Sequence, residues 1–316
     1  MDIKAYISIA RPDHWFKNGF MVIGIFLAFF IEPLDSNTTF VLNIMLSIVS
    51  VCLVASSNYV INEVLDAPFD RHHPEKCKRP VPSGRVYLPL AYTEWIVLAV
   101  MGLYAGFLIS WPFFYSALSL WVAGLAYNIP PLRTKEIPYV DVLTESLNNP
   151  IRLFMGWFAI VPDKIPPVSI ILAYWMAGAF FMGAKRFAEY RMINDPETAQ
   201  KYRASFKFYS SEKLLLSIFF YVSLCSFFFG VFVIRYHLEL IIGVPFFAGL
   251  FAYYLKLAFL HDSPVQKPEK LYREKNLMIF LVLSVVVFIG LLYSHIPFIY
   301  DVFNVIPYKL SPLWVF

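Results

Sequence analysis

The sequence predicts an all-α polytopic membrane protein, and three observations carry that expectation. Hydrophobic residues make up 59% of the chain and charged residues only 15%, with a mean hydropathy of +0.61, far above that of a soluble domain. Apolar runs of roughly 20 residues, the length at which a helix crosses a bilayer, recur from one end to the other. The charges gather in alternate connections between those runs. One membrane-embedded domain over residues 1–316, with about nine transmembrane helices, accommodates all three.

The expected spans are 18–34, 40–62, 88–108, 112–128, 140–161, 168–185, 214–234, 238–260 and 277–296. Placing the N-terminus and the even connections on one side collects all but five of the 26 basic residues there. Lys164, Arg235 and Lys309 fall opposite, and Arg152 and Lys256 fall inside spans. Such an asymmetry predicts a cytoplasmic N-terminus and cytoplasmic even loops in the inner (cytoplasmic) membrane. Met1 to Lys17 lacks the pattern of a cleaved signal peptide, so the first span is expected to be retained. The apolar, proline-bearing tail after Ser294 reads as interfacial or re-entrant. Cys52, Cys77 and Cys225 are isolated, which argues against a disulfide framework or a zinc site. Glycine-rich phosphate loops and internal repeats are absent, and no nucleic-acid partner is expected.

The richest stretch runs from Asn62 to Gly84, NEVLDAPFDRHHPEKCKRPVPSG. Asn62, Asp66 and Asp70 are spaced i, i+4, i+8 and share a helix face, with Glu63 on the adjoining edge. Clustered hard oxygen ligands suit Mg2+, which takes one or two carboxylates and completes its shell with water and phosphate oxygens. Arg71, Lys76, Lys78 and Arg79 follow at once, where they can meet phosphates. The plainer alternative is a solvated helix end before a basic loop. Pro68 is expected to end or kink the helix.

Other charged segments point to the same end of the bundle. ARPDHWFKNGF (10–20) leads into the first span, with Trp15 as an interfacial anchor and Lys17 and Asn18 at the point of entry. The fourth connection, AYNIPPLRTKEIPYVD (126–141), holds Arg133 and Lys135 close to the membrane. It continues into a span bearing Glu145, Asn148, Asn149 and Arg152, polar groups that are expensive in an apolar helix. Either they form a site, or Glu145 or Asp141 pairs with Arg152 as a buried structural contact. The sixth connection begins KRFAEYR (185–191), with Lys185 and Glu189 at i, i+4.

These segments together resemble the UbiA superfamily of intramembrane prenyltransferases, and most of all its decaprenyl-phosphate phosphoribosyltransferase branch. The resemblance is carried by ARPDHWFKN at 10–18, Asn62-x3-Asp66-x3-Asp70, DRHHPEKCKRPVPSG at 70–84, AYNIPPLRTK at 126–135, KRFAEYR at 185–191 and PEKLYREKNLM at 268–278. Glu63 stands where the superfamily usually has Asp, and Cys77 interrupts a usually more basic stretch. Lys185 and Glu189 stand where aromatic prenyltransferases carry a second Asp-rich motif.

The resemblance implies a UbiA-like bundle round a central cavity, open to the cytoplasm for a charged donor and sideways to lipid for a polyprenyl chain. It implies an enzyme moving a phosphoribosyl group from phosphoribosyl pyrophosphate to a polyprenyl phosphate, with Mg2+ as cofactor. Asp66 and Asp70 would be catalytic and, with Asn62 and Glu63, would hold the metal. Lys17, Asn18, Asn62, Lys76, Arg79, Tyr127, Arg133, Arg152, Lys185 and Glu189 would contact the substrates. A homo-oligomer is compatible with this class. The alternatives are a prenyltransferase moving a polyprenyl group from its diphosphate to an aromatic or other small acceptor, and a transporter or other non-enzymatic membrane protein, which would call for paired broken helices at the bilayer midplane.

Overall fold

The computed structural model describes residues 2–32, 38–71, 76–193, 204–266 and 268–303. A short helix α1 (Ile3–Ile9) precedes a 3-10 stretch, Pro12–Phe20, that runs straight into α2 (Met21–Ile31). Then follow α3 (Thr38–Asp70), α4 (Leu88–Ile109), α5 (Trp111–Asn128), α6 (Val140–Ser146), α7 (Asn148–Phe158) and α8 (Val168–Ile193). The chain finishes with α9 (Ser211–Tyr236), α10 (Val244–Ala258), α11 (Lys275–Leu292) and α12 (Pro297–Phe303). Residues after 303, most of the expected interfacial tail, lie outside the described residues.

Local chemistry sets the boundaries. Ser110 caps α5 by accepting from the Phe113 N–H at 3.2 Å, and Pro112 occupies the first turn, where its missing donor is no loss. Ser210 caps α9 in the same way through Lys213 N–H. The span expected at 140–161 is instead two helices that part at Leu147. Pro150 explains the break, since it has no N–H to give the carbonyl of Ser146 and its ring crowds that carbonyl. Pro68 behaves differently: α3 continues past it and ends two residues later at Asp70.

Seven helical stretches among the described residues are long and apolar enough to cross a membrane: Ile3–Ile31, Phe40–Asp70, Leu88–Ile109, Val168–Ile193, Ser211–Tyr236, Leu238–Ala258 and Lys275–Leu292. The other two expected spans correspond to α5, 18 residues long, and to the broken pair α6 and α7. Outward side chains of α4, α9 and α11, among them Val100, Tyr104, Phe219, Phe220, Val282 and Val286, are exposed and apolar, as a lipid-facing surface requires.

In lipid the helices gain little from hydrophobic burial and rely on close packing at small residues. α2 and α7 show this most clearly. A Cβ at Gly24 would overlap the Leu153 carbonyl, and one at Gly156 would overlap the Met21 carbonyl, so the two backbones touch at both glycines. Around that crossing Met21, Leu153, Met155 and Trp157 form a buried apolar core with Phe113, Leu120 and Phe232. A second core joins α8 to α9 and α10 through Phe180, Phe187, Leu214 and Tyr254. Gly24→Ala should therefore lower the apparent Tm of the detergent-purified protein, by an overpacking penalty of about 1–3 kcal/mol. Gly230→Ala, where an added Cβ meets nothing within 4 Å, should leave it within error.

Candidate functional site

The last two turns of α3 carry the acidic face, and the loops at that end of the bundle close over it. Asn62 Nδ2 donates to Asn128 Oδ1 at 2.5 Å and to Asp66 Oδ2 at 3.3 Å, tying the end of α3 to the end of α5. Asp66 Oδ1 accepts from Lys135 Nζ at 2.5 Å and from Arg133 Nη2 at 3.2 Å. One turn on, Asp70 Oδ2 accepts from Arg79 Nη1 at 2.7 Å, and Lys76 Nζ lies 3.8 Å from its Oδ1. Each carboxylate is thus held by two cations. Burial pushes the Lys76 ammonium below the usual lysine range, against the opposing pull of Asp70.

Backbone strain accompanies this clustering. Arg11, Arg133 and Tyr139 are the described non-glycine residues at positive φ, at 49°, 29° and 65°, a region that costs a side-chain-bearing residue of order 1–3 kcal/mol. The first two deliver a guanidinium to α3. Arg133 reaches Asp66, and Arg11 Nη2 reaches Glu63 Oε2 at 3.4 Å.

That second contact corrects one expectation. Glu63 is only 1% exposed, and its other oxygen accepts from Val81 N–H at 3.2 Å. Both oxygens therefore serve to clamp the 3-10 stretch and the post-α3 loop onto α3, and Glu63 does not join Asp66 and Asp70. Among the described residues no three His, Cys, Asp or Glu side chains gather as a metal cage. Asn62, Asp66 and Asp70 nevertheless fit Mg2+, because two carboxylates one turn apart and an amide oxygen are the kind of partial hard-oxygen set that this ion completes with water and substrate. Of the expected loop motif at 70–84, residues 72–75 lie outside the described residues.

The structure also reveals a residue that sequence reasoning passed over. Arg186, on α8 and 2% exposed, binds three carboxylates: Asp141 Oδ2 at 3.2 Å, Glu145 Oε2 at 2.7 Å and Glu189 Oε2 at 3.1 Å. Tyr127, expected to face a phosphate, donates to Glu145 Oε2 at 3.0 Å. Tyr209 donates to Asp141 Oδ1 at 2.7 Å and accepts from Tyr139 N–H, and burial with the adjacent carboxylate pushes its hydroxyl well above the usual tyrosine range. Glu189 is shared with Lys185, 4.0 Å away. The pairing of Arg152 with Glu145 or Asp141 is thereby overturned, since both acids belong to Arg186. Its signal lay in the sequence as a second i, i+3 partner of Glu189, beside the i, i+4 pair that drew attention.

Arg152 sits elsewhere. It is 8% exposed; its Nε donates to Asn18 Oδ1 at 3.0 Å and its Nη1 to the Asn148 carbonyl at 3.3 Å. Asn18 in turn donates to Cys52 Sγ at 3.3 Å. Lys17 Nζ lies 3.4 Å from His14 Nδ1. Apart from Glu63 and Lys17, the expected residues therefore fall into three groups: Asn62, Asp66, Asp70, Lys76, Arg79 and Arg133 at the end of α3; Tyr127, Lys185 and Glu189 round Arg186; and Asn18 with Arg152 farther down the bundle. Arg186→Gln should cost about 3–5 kcal/mol, because it strands buried carboxylates. Arg133→Gln, which leaves Asp66 its lysine, should shift the apparent Tm far less in the same melting experiment.

The family model described as "UbiA prenyltransferase family" matches residues 20–283. A decaprenyl-phosphate phosphoribosyltransferase from Mycolicibacterium smegmatis is 30% identical over 220 residues, covering 67% of this chain and 64% of its own length. A digeranylgeranylglyceryl phosphate synthase from Sulfurisphaera tokodaii is 26% identical over 253 residues, covering 78% and 84%. Among solved structures, a UbiA homologue from Archaeoglobus fulgidus bound to DMAPP and Mg2+ shares the fold at a TM-score of 0.66 and 19% identity, over 90% of this chain and 98% of that one. Over most of its length this chain belongs to the UbiA prenyltransferase family.

Proposed function

We propose that this protein transfers a 5-phosphoribosyl group from phosphoribosyl pyrophosphate to a polyprenyl phosphate at the cytoplasmic face of the membrane. The observation that carries this reading is the pair of carboxylates at the end of α3, each already neutralised by two cations. Such a site is prepared for a metal ion and a polyanion arriving together, because the metal can take over the carboxylates while the displaced cations turn to phosphate oxygens. The similarity to the phosphoribosyltransferase of Mycolicibacterium smegmatis supports the choice of donor and acceptor.

Bound Mg2+, held by Asp66, Asp70 and Asn62, would take up the charge that develops on the departing pyrophosphate. Lys76, Arg79, Arg133 and Lys135 would grip the donor's phosphates and fix the ribose in position. The acceptor's phosphate oxygen forms the new bond to ribose C1 as the bond from C1 to the pyrophosphate oxygen breaks, and pyrophosphate leaves with the electron pair. An ionised phosphate monoester is an adequate nucleophile, so no protein base has to remove a proton. Catalysis then comes from positioning and fixed charge. Arg186 would keep the Glu145, Glu189 and Tyr127 wall of the site in place.

A second reading is prenyl transfer from a diphosphate to a phosphate-bearing or other small acceptor, favoured by the 26% identity to the Sulfurisphaera tokodaii synthase. Both readings use the same metal face. Incubating the purified protein with Mg2+, labelled phosphoribosyl pyrophosphate and a polyprenyl phosphate should carry label into the lipid phase. Label transfer should cease with EDTA and fall by about a hundredfold or more in Asp66→Asn and Asp70→Asn, the scale of removing a principal electrostatic stabiliser. Lipid labelling from a prenyl diphosphate, with none from the ribosyl donor, would overturn the first reading in favour of the second.

A further inference from the structure

Among the described residues, one buried cation has no carboxylate. Arg186 has three acids and Arg11 has Glu63. The cations at the end of α3 have Asp66 and Asp70. Arg152, with 8% exposure, has only the Asn18 amide oxygen and the Asn148 carbonyl. The titratable groups that act on it, Tyr59, Tyr174 and Cys52, include no carboxylate. Among the described residues the hydrogen bonds of its guanidinium are those from Nε and Nη1. A guanidinium in such surroundings loses hydration without recovering it from an anion, an arrangement a membrane interior does not tolerate without a reason.

Its position says what kind of anion is missing. Tyr59 and Cys52 lie on α3 seven and fourteen residues before Asp66, so the guanidinium lies roughly 10–20 Å of helix rise farther into the bundle than the acidic face. Its neighbours along α7 and α2 are Met21, Ile151, Leu153 and Met155, all part of the apolar core. A water-soluble donor has four cations waiting at the charged end. An anion that enters from lipid, drawing an apolar tail behind it, matches a cation set among apolar side chains.

We infer that Arg152, with Asn18 orienting its guanidinium, is the seat of the acceptor's phosphate, the headgroup of a polyprenyl monophosphate. The inference rests on the transfer reading above and assigns one of its two substrates to a place. It puts the acceptor on the membrane side of the ribose and the leaving pyrophosphate on the loop side, so that attack and departure occur on opposite faces of C1.

Binding to the full-length protein in nanodiscs provides the test, with farnesyl monophosphate as the lipid probe, farnesol and inorganic phosphate as controls, and Mg2+ with pyrophosphate as the donor-side probe. Farnesyl phosphate should bind more tightly than either control. Arg152→Met should weaken it by about tenfold or more, the loss of one charged hydrogen-bonding partner. The same variant should leave Mg2+-dependent pyrophosphate binding within about threefold and should lower the ligand-free apparent Tm far less than Arg186→Gln, because it breaks two hydrogen bonds but no ion pair. Arg152→Lys should recover part of the lipid affinity. A lowered Tm with unchanged farnesyl phosphate binding would make Arg152 structural and overturn the inference. So would a loss confined to pyrophosphate, inorganic phosphate binding as well as the lipid, or no lipid phosphate binding in the wild type. Arg152-dependent binding of farnesyl phosphate without any label transfer from the ribosyl donor would reject the phosphoribosyl reading and leave this seat standing.

Discussion

Charge inside a bilayer has to be answered locally, and the way this chain answers it determines most of what surrounds the site. Water is not there to share the load, so the buried charges round the site draw in neighbours and in doing so fix separate segments to each other. Arg186 brings α8 against α6 by way of Asp141 and Glu145. Tyr209 and Ser205 then fasten the segment before α9 onto Asp141, which is fully buried. Glu63 does the same at α3, holding the entry segment through Arg11 and the following loop through Val81. The polar network is thus the frame that gives loops a fixed place, while apolar packing supplies the bulk.

Two kinds of acid follow from this frame. Glu63 and Asp141 are saturated by protein donors and serve architecture. Asp66 and Asp70 are met by the flexible ends of lysine and arginine side chains at 11–35% exposure, partners that can let go. Lysine and arginine also differ in what they offer a phosphate: arginine presents a planar fork, lysine a movable point charge. Each of the two aspartates has one of each. An arriving metal and phosphate would therefore meet the same mixed pair at both positions.

Much of this was legible in the chain. Seven of the expected spans fall on helices long and apolar enough to cross a membrane, and the acidic face at Asn62, Asp66 and Asp70 is present on α3 because an i, i+4, i+8 spacing survives any tertiary context as long as the helix does. Pro68, expected to end or kink the helix, lies two residues from the end of α3, and its cost falls on a bond where the chain stops anyway. Pro150 was passed over and broke a span. Glu63 looked like a ligand because adjacency on a helix says which edge a residue is on and nothing about what a distant segment, here residue 11, will bring to it. Arg186 and Arg152 show the same limit: which arginine meets Glu145 depends on how α6, α7 and α8 cross, and no local spacing encodes that.

The crossing of α2 and α7 has a bearing on how anything gets in. Two backbones in contact at Gly24 and Gly156 leave no slack between them, so these helices travel as one piece if they travel at all. Asn18 precedes one of those glycines by six residues, and Arg152 precedes the other by four. Their mutual distance is consequently insulated from breathing elsewhere in the bundle. Any seam that parted would have to lie elsewhere in the bundle, and the polar couple at the end of this joint would stay registered while it did.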